Sequence, residues 1–570
     1  MWKLKENNVE VENKLIEDGK HRMFARLLSQ RVKEADKANE LLSVDYNDLN
    51  NPFDLNDCEK AARLFIEHAK NKSRVAIIGD YDCDGITSTT MLYELCRNFG
   101  LKCVPFLPSR LEHGYGLNPT TIESFKQKVK TPPDLLFVTD CGTSNRLEVD
   151  QLKEFGIKDI IIIDHHLPAD EEKVSHNADA LISWHFSEGF NEMCACGEVF
   201  QFIRGIRRLT NHIDPIEFLS YAAIGTIADP QPIVGDNRII VKNGLTKYAF
   251  DHVMASGLNA LIKTKIKWCE VITQTDIGFR IAPMINAAGR IETPDMVLRL
   301  LIECDPFLAN EMASKINKIN EDRKSLQSFV EGDALVKAKA IKSKYGVFVH
   351  GESYHIGIVG IVASRVVDET GKPALVIGYH NGVWKGSGRS IPNVNLKEIL
   401  DNCAFMFEKY GGHAAAVGVT IKEEYLDQAQ EIFDQACETY YASNEVDTKL
   451  IRTFDASVSF KAVNENVSAL LRDELYPYCK DHNPEPIFEL KGVKLTSTSL
   501  KEGKGWRILT FSVYRGEELL SPQFKWFSPK FDKDIEDVLV DVYFTFPQHW
   551  DNSKRFEEFD LTVVDIQKRG

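Results

Sequence analysis

Short, continuous apolar runs separated by helix-length segments are the feature that most constrains how this chain can fold. The clearest are RVAIIG from Arg74, LLFVT from Leu135 and DIIII from Asp159. Strands that are buried on both faces of a parallel sheet carry this unalternated apolar pattern, and parallel strands need long crossover connections. The sequence therefore predicts an α/β domain built on a parallel sheet.

Acidic residues and histidines follow each of these runs. The set comprises Asp80, Asp82, Asp84, Asp140, Asp164, His165, His166 and, after the apolar stretch YAAIGTIA, Asp229. Functional sites in open parallel sheets form where the carboxyl ends of the strands meet. We therefore predict that four strand ends deliver these side chains to one rim.

A structural explanation covers only part of this pattern. Asp84 is a candidate N-cap for a helix that begins near Ile86, and an isolated His166 is more often structural than functional. Three carboxylates at the end of one buried strand point instead to a cation. Carboxylates with a histidine suit Mn²⁺ or Mg²⁺ better than zinc, and the set is large enough for two ions in a phosphoryl-transfer site.

Composition excludes several classes of protein. Twelve cysteines form no CxxC pair, the nearest being Cys194 and Cys196, which argues against a zinc knuckle or a disulfide framework. The net charge of −15 argues mildly against nonspecific coating of nucleic acid but leaves room for a nuclease with a local basic groove. No apolar run is long enough for a membrane span or a signal peptide, so we expect a cytoplasmic protein.

The 570 residues predict several domains. We expect an α/β parallel-sheet catalytic domain, a long connecting helix, a second α/β domain and a C-terminal β-barrel of the oligonucleotide-binding type. The expected boundaries are a helical segment at 1–70, the catalytic domain at 71–305, the helix at 306–345, the second domain at 346–445 and the barrel at 446–570.

The motifs, taken in order, resemble one family. GDYDCDG, TDCG, DHH and GTIAD resemble the four catalytic motifs of the DHH phosphoesterase superfamily, and EHGYGL and INAAGRIET are similar to its RecJ single-strand-specific exonucleases. HIGIVGIVASR, KGSGRSI and YGGHAAAVG resemble the DHH-associated second domain, and NPEPIFE resembles the start of the RecJ barrel. The resemblance covers about residues 20 to 570.

With the residue pattern, this resemblance implies a ligand set, for which we predict Asp80, Asp82, Asp84, Asp140, His165 and Asp229. Asp140 is the candidate that bridges two ions. Asp82, Asp84, Asp140, His165, His166 and Asp229 are the predicted catalytic residues. His166 is expected to face the scissile phosphate, and Asp164 to orient an imidazole from behind the ligands.

A second set is predicted to bind DNA or its phosphates: Arg110, Asn286, Arg290, His355, Ser387, Arg389, His413 and Trp506. For Arg110 a surface salt bridge is an equal alternative, whereas the resemblance favours Arg290, Arg389 and His413. Between Lys480 and Arg515, seven basic residues stand against four acidic ones, with aromatics interleaved, as suits single-strand binding. Within that stretch we expect Phe511 in the barrel core and Trp506 at the surface.

The resemblance implies a Mn²⁺- or Mg²⁺-dependent enzyme that degrades single-stranded DNA from the 5′ end to mononucleotides, in repair and recombination. Its expected partners are single-stranded DNA, a single-strand-binding protein and a helicase, with no membrane and a monomeric state. The alternatives are a DHH phosphodiesterase for short oligonucleotides or cyclic dinucleotides, and a non-catalytic replication scaffold. Departures at ISWHF, MCACGEVF and YPYCKDHNPEP indicate a divergent member, for which a phage origin is one option.

Overall fold

The computed structural model describes residues 2–109, 114, 116–168, 171–190, 192–266, 272–444, 452–503, 506–520, 522–527, 538–548 and 559–569. For residues 497, 498, 503 and 506 only the backbone is described. The chain begins with one short strand and four helices: β1 Trp2–Leu4, α1 Val9–Glu17, α2 Arg22–Ser29, α3 Lys37–Leu42 and α4 Cys58–Lys70.

Five parallel strands form the first sheet, in the order β3-β2-β4-β5-β6. The strands and their crossover helices are β2 Arg74–Ile78, α5 Cys83–Asn98, β3 Lys102–Phe106, α6 Pro119–Val129, β4 Leu135–Thr139, α7 Arg146–Glu154, β5 Asp159–Ile163 and β6 Ala180–Ile182. Alternate residues of β2 enter different cores, Val75 and Ile77 on one face and Ala76 and Ile78 on the other. Burial on both faces explains the unalternated apolar runs, and the predicted parallel sheet is confirmed.

Helices complete the catalytic part: α8 Ala195–Thr210, α9 Ile216–Ala228, α10 Gly235–Gly244, α11 Lys247–His252, α12 Ser256–Lys263, α13 Gln274–Asp276, α14 Ala282–Ile291 and α15 Asp295–Leu301. A π-helical turn, Ile277–Ile281, joins α13 to α14. The stretch YAAIGTIA lies in α9, so the prediction that Asp229 follows a strand is wrong. This helix is buried nearly all round, and a short apolar run cannot by itself distinguish a buried helix from a buried strand.

A helix of 35 residues, α16 Pro306–Ala340, leads to a second, mixed sheet in the order β10-β11-β9-β8-β7. Its elements are β7 Val347–Gly351, α17 Val359–Thr370, β8 Ala374–His380, β9 Val383–Arg389, α18 Leu396–Asp401, β10 Phe407–Gly412, β11 Ala416–Ile421 and α19 Ala429–Ser443. Strands β7 and β8 pair in parallel, whereas β8, β9, β11 and β10 pair antiparallel in that order.

The remaining elements are β12 Arg452–Phe454, β13 Ala456–Ser457, α20 Glu465–Leu470, β14 Phe488–Gly503, β15 Trp506–Arg515, β16 Glu518–Leu519, β17 Gln523–Phe527, β18 Val540–Thr545 and β19 Asp560–Lys568. Strands β14, β18, β19, β17 and β15 pair in that order, and β15 pairs back to β14. The ring is therefore a closed five-stranded barrel, as predicted. Phe511 is fully buried and stacks on Phe524, which confirms its place in the core.

The N-terminal residues pack on the barrel. Strand β1 pairs in parallel with β12, and residues of α1 and α2 share the hydrophobic core of the barrel strands. Trp2 stacks on Tyr543, and its indole N–H donates to Asp565 at 2.7 Å. In contrast, α4 packs into the core of the catalytic sheet. Segment 1–70 thus divides between two cores.

A membrane-crossing helix would need a long stretch of apolar residues. In the ranges that the structure describes, none of the helices combines that length with that hydropathy.

Candidate metal centre

The loop after β2 places three aspartates at the start of α5. Asp82 is the N-cap: its Oδ1 accepts the backbone N–H groups of Asp84 at 3.0 Å and Gly85 at 3.2 Å. The cap is therefore Asp82 and not Asp84, because the helix begins at Cys83, three residues earlier than the sequence suggested. A Cβ at Gly85 would lie 2.6 Å from the Asp80 carbonyl oxygen, so only glycine lets the helix start this close to the loop.

Asp84 is buried and held by the first turn of another helix. Its carboxylate accepts the backbone N–H groups of Ala195 at 2.8 Å and Cys196 at 2.9 Å, where the N-terminus of α8 favours negative charge. Burial nevertheless raises the pKa of Asp84 to about 6. His165 opposes this rise, and the carboxylate of Asp229 adds to it.

Asp140 follows β4 in the left-handed region, with φ of +60°. Aspartate tolerates this conformation better than most residues. The side chain is buried, and burial together with the carboxylates of Asp84, Asp82 and Asp80 raises its pKa well above the ordinary value. Three neighbouring carboxylates around a buried fourth are an arrangement that a cation would stabilise.

In the DHH tripeptide after β5, residues 164–166, Asp164 and His166 form a hydrogen-bonded pair. Asp164 is buried, and its carboxylate accepts the N–H of Thr143 at 2.8 Å and bonds His166 Nδ1 at 2.7 Å. Burial alone would raise the pKa of Asp164, but the bond to His166 and the charge of that imidazole hold it below the usual range. Burial would lower the pKa of His166, yet the bond to Asp164 and its charge raise it to about 9.

His165 points its Nε2 atom at three carboxylates. The distances are 3.3 Å to Asp140 Oδ1, 3.6 Å to Asp229 Oδ2 and 3.9 Å to Asp84 Oδ2. The imidazole therefore lies at the meeting point of residues that follow β2, β4, β5 and α9.

Two neighbouring groups of ligand atoms result. Asp80, Asp82 and Asp140 form one, and Asp84, His165 and Asp229 form the other; within each, the ligand atoms lie within 4.8 Å of one another. Asp140 also groups with His165 and His166, which places it between the two. Carboxylate oxygens with one imidazole are a donor set for Mn²⁺ or Mg²⁺, so the residues fit the predicted ions.

Two supporting residues, Gln231 and His185, were not predicted from the sequence. Gln231 donates from Nε2 to Asp229 Oδ2 at 2.7 Å and lies 3.5 Å from His165 Nδ1. His185 bonds the carbonyl oxygen of His165 through Nε2 at 2.9 Å. Gln231 stands two residues after Asp229, which is a usable signal, whereas nothing in ISWHF indicated a contact with the DHH tripeptide.

Arg290 and His355 meet where the catalytic part contacts the second domain. Arg290 Nη1 donates to the carbonyl oxygen of Gly357 at 3.1 Å, and the N–H of Gly357 donates to His355 Nδ1 at 3.1 Å. Asn286 lies one turn before Arg290 on α14, and its buried Oδ1 has no hydrogen-bond partner among the described residues.

Ser387, Arg389 and His413 lie at one end of the second sheet. Arg389 ends β9 and approaches the first turn of α17: a Cβ at Gly360 would lie 3.1 Å from its Nη2 and 3.5 Å from Ser387 Oγ. His413 is exposed in the turn between β10 and β11. Ser390, which follows Arg389, donates its backbone N–H to the carbonyl oxygen of Ala415 in that same turn.

Two predicted DNA-binding residues are not placed. Arg110 lies outside the described residues. Trp506 begins β15, where its backbone pairs with Gly503, but its side chain lies outside the described part of the chain. Their assignments stay predictions.

Comparison with known proteins first defines the class. The DHH family, N-terminal domain, matches residues 74–226, and the DHHA1 domain matches residues 342–439. The first match contains the carboxylates that follow β2 and β4 and the DHH tripeptide, and the second contains Ser387, Arg389 and His413. The chain is thus a DHH protein with its associated second domain.

Comparisons with individual proteins identify the family within the DHH proteins. The single-stranded-DNA-specific exonuclease RecJ of Haemophilus influenzae is 30% identical over 437 residues, 73% of each protein. A structure of RecJ from Thermus thermophilus in complex with Mn²⁺ matches all of this chain and 79% of that one, with a TM-score of 0.78 at 23% identity, which shows the fold. A RecJ structure bound to manganese, 28% identical, matches 68% of this chain and 95% of that one, with a TM-score of 0.59. The chain belongs to the RecJ family.

Proposed function

We propose that this chain is a metal-dependent exonuclease that hydrolyses single-stranded DNA from its 5′ end and releases 5′-mononucleotides. The observation that carries the proposal is the pair of neighbouring groups, Asp80–Asp82–Asp140 and Asp84–His165–Asp229, which Asp140 and His165 join at one rim of the sheet. Membership of the RecJ family supports the substrate, because relatives in that family are single-stranded-DNA-specific exonucleases.

Asp80, Asp82, Asp84, Asp140, His165 and Asp229 would hold two Mn²⁺ or Mg²⁺ ions, with Asp140 shared. When bound, such ions lower the pKa of water to supply a nucleophile and neutralise charge on a transferring phosphoryl group. The chain's own contribution is to hold the ligands ready. The N–H groups of α8 fix Asp84, Gln231 fixes Asp229, and the N-cap bonds fix Asp82.

His166 is proposed to donate a hydrogen bond to the scissile phosphate. Its bond to Asp164 sets the orientation of the ring and favours the protonated imidazole, as a phosphate donor requires. Asp164 has this positioning role and is not proposed as a ligand, because its oxygens already bond Thr143 and His166.

The terminal phosphate is proposed to bind in the second domain. Ser387 and Arg389 lie beside the first turn of the 12-residue helix α17, and helix N-termini favour anions. Arg290 and His355 lie at the junction between this region and the catalytic helices. A strand anchored by its 5′ phosphate here would present its first phosphodiester to the metal centre, which gives a physical basis for the polarity.

The oligomeric state, the cellular location, the pathway and the protein partners stay predictions. We propose a monomeric, cytoplasmic enzyme that works in repair or recombination beside a single-strand-binding protein and a helicase. The division at about residues 305, 345 and 445 is likewise our proposal, with segment 1–70 shared between the barrel core and the catalytic core. Arg110, Asn286, His413 and Trp506 are likewise proposed as DNA-binding residues.

A time course with Mn²⁺ on one oligonucleotide tests the proposal. One aliquot carries a label at the 5′ end and the other at the 3′ end. We expect immediate release of 5′-labelled mononucleotide and a gradually shortening 3′-labelled ladder. Cleavage restricted to dinucleotides or cyclic dinucleotides would indicate a small-substrate phosphodiesterase, and bound but uncleaved DNA would indicate a scaffold.

A further inference from the structure

We propose that Phe279 is a stacking platform for one nucleobase of the single strand as it approaches the metal centre. The inference rests on the proposed function and adds a binding position to it. Among the large apolar side chains in the described ranges, Phe279 is the most exposed, at 80%. It lies in the π-helical turn Ile277–Ile281, and such turns are frequent at functional sites.

Phe279 is the exposed member of one stripe of exposed and half-buried side chains along the continuous helical stretch from α13 to α14. The stripe consists of Thr275, Phe279, Pro283, Asn286 and Arg290, at spacings of four, four, three and four residues. Positions between them, such as Ile281, Met284 and Ala288, are buried. A spacing of three to four residues places side chains on the same face of a helix. Two residues predicted from sequence to bind DNA, Asn286 and Arg290, therefore share a face with Phe279.

The two ends of this stripe touch different parts of the molecule. Thr275 Oγ1 donates to Gln548 Oε1 at 2.6 Å, just beyond barrel strand β18. Arg290 Nη1 donates to Gly357 O at 3.1 Å in the second domain. The stripe therefore runs from the barrel to the second domain across the surface of the catalytic part.

The helix also lies directly against the catalytic loop. A Cβ at Gly289 would be 2.7 Å from the carbonyl oxygen of Tyr81, the residue between the ligands Asp80 and Asp82. Ten residues separate Phe279 from Gly289, which is about 15 Å at the helical rise of 1.5 Å per residue. A strand that passes from the barrel to the metal centre along this face would cross Phe279 before it reaches the carboxylates.

The chemistry of the position suits a nucleobase. Arg280, the next residue after Phe279, is half-exposed and pairs with the buried Asp276 at 3.0 Å, so a guanidinium lies within one helical turn of Phe279. Aromatic rings near arginines bind single strands without sequence preference, because every base has a π-face. We therefore expect stacking that is independent of base identity.

The test compares a long and a short substrate on the full chain with Mn²⁺. The long one is a 5′-phosphorylated thymidine oligonucleotide of about 16 nucleotides, and the short one is the 5′-phosphorylated thymidine dinucleotide, which would not reach Phe279. Stacking contributes about 1–3 kcal/mol per base, so Phe279→Ala should reduce the kcat/KM advantage of the long substrate by about 5- to 150-fold. Phe279→Trp should retain the advantage, and Phe279→Leu should lose it.

A matched control and a direct readout complete the experiment. Phe307 at the start of α16 is 77% exposed and lies outside the stripe, so Phe307→Ala should keep the native ratio. In an Asp140→Asn background, an oligonucleotide with 2-aminopurine at successive positions should show quenched fluorescence at one or two positions. This quenching should disappear when Phe279→Ala is added.

The outcomes separate this inference from the proposed function. If the native protein cleaves neither substrate, the proposed function fails, and the fluorescence still reports on stacking. If long strands are degraded equally well by native protein and Phe279→Ala, the stacking role is wrong while the exonuclease proposal stands. Full rescue by Phe279→Leu would also overturn stacking and indicate a simple apolar contact, such as one with a protein partner.

Discussion

The metal centre and the phosphate-binding end of the second domain are built in different ways. In the metal centre four carboxylates, Asp80, Asp84, Asp140 and Asp164, are buried, and the site is held by backbone N–H groups, a glutamine and the Asp164 carboxylate. In the second domain Arg389 is partly exposed at a strand end and His413 is exposed in a turn. Buried like charges oppose folding until a cation arrives, whereas exposed cations do not. Substitutions should therefore alter both stability and catalysis in the first region and only DNA binding in the second.

The largest effect should follow from Asp140→Asn, which removes the buried charge and keeps a residue that tolerates positive φ. Removal of an outer partner of a metal ligand costs about 10- to 100-fold, so loss of the shared ligand itself should exceed that. We also expect the metal-free variant to melt at a higher temperature than the native protein, because a carboxylate with a raised pKa is lost. Turnover with Mn²⁺ and calorimetric melting without metal measure the two effects.

Asp251 on α11 provides the matched control for that substitution. It pairs with Lys247 at 4.0 Å on the surface, so Asp251→Asn should leave both turnover and melting close to native. Substantial Mn²⁺-dependent activity in Asp140→Asn or Asp140→Ala would sink the assignment of a shared ligand.

The second-largest effect should be the pH dependence of the stability of the metal-free protein. The pKa of Asp84 is about 6 when folded and 3.8 for an unperturbed aspartate, so the folded state binds the extra proton between these values. Metal-free stability should then fall as pH rises from about 4 to 6, by up to about 3 kcal/mol from this group. Mn²⁺ offsets the buried negative charge of the ionised Asp84 carboxylate, so the rise in Tm on adding Mn²⁺ should be larger at pH 7.5 than at pH 5. Equal rises at both pH values would contradict the account.

Arg389→Ala tests the other region, the phosphate-binding end of the second domain, where we expect a loss of DNA binding alone. Hydrogen bonds to charged groups contribute about 1.5–3 kcal/mol, so binding of a 5′-phosphorylated strand should weaken by roughly 10- to 150-fold. Mn²⁺ affinity by calorimetry should stay native. Arg365 on α17 pairs instead with Glu331 at 3.1 Å, and Arg365→Ala should leave DNA binding unchanged. Parallel loss of metal and DNA affinity in Arg389→Ala would remove the distinction between the two regions.

The smallest effect should come from Gln231→Ala. Its amide holds Asp229 at 2.7 Å, and an orienting partner of this kind contributes about 10-fold or somewhat more in metal affinity. Titration with Mn²⁺ should show the loss, and excess Mn²⁺ should restore turnover. Failure to recover at saturating Mn²⁺ would assign Gln231 a more direct part in the reaction.

Sequence reasoning succeeded where one local signal determines the structure. Apolar runs of five or six residues predicted β2, β4 and β5, and the residues immediately after them predicted most of the ligand set. It failed for Asp229, because the apolar stretch before it is a helix buried on nearly every side. It also gave Asp84 as the candidate N-cap, whereas the cap is Asp82, since a run of alternating aspartates offers several equivalent caps.

Local sequence signals could not predict contacts between residues that are far apart in the chain. The N–H groups of Ala195 and Cys196 hold Asp84 across 111 and 112 positions, and His185 reaches the carbonyl of His165 from a neighbouring loop. Phe279 was missed for a different reason: a phenylalanine in an apolar segment predicts a core residue, and only the three-dimensional packing shows its ring in solvent.

The pairing of β1 with β12 has a consequence for synthesis on the ribosome. Residues 2–42 are synthesised long before the barrel strands that cover them, the last of which ends at Lys568. At a synthesis rate of about 5–20 residues per second, roughly 30 to 100 s pass between the synthesis of α1 and α2 and that of the last strand that covers their apolar faces. Chaperones that bind nascent apolar segments would therefore engage α1 and α2, and these helices would reach their folded packing only after the last barrel strand is made.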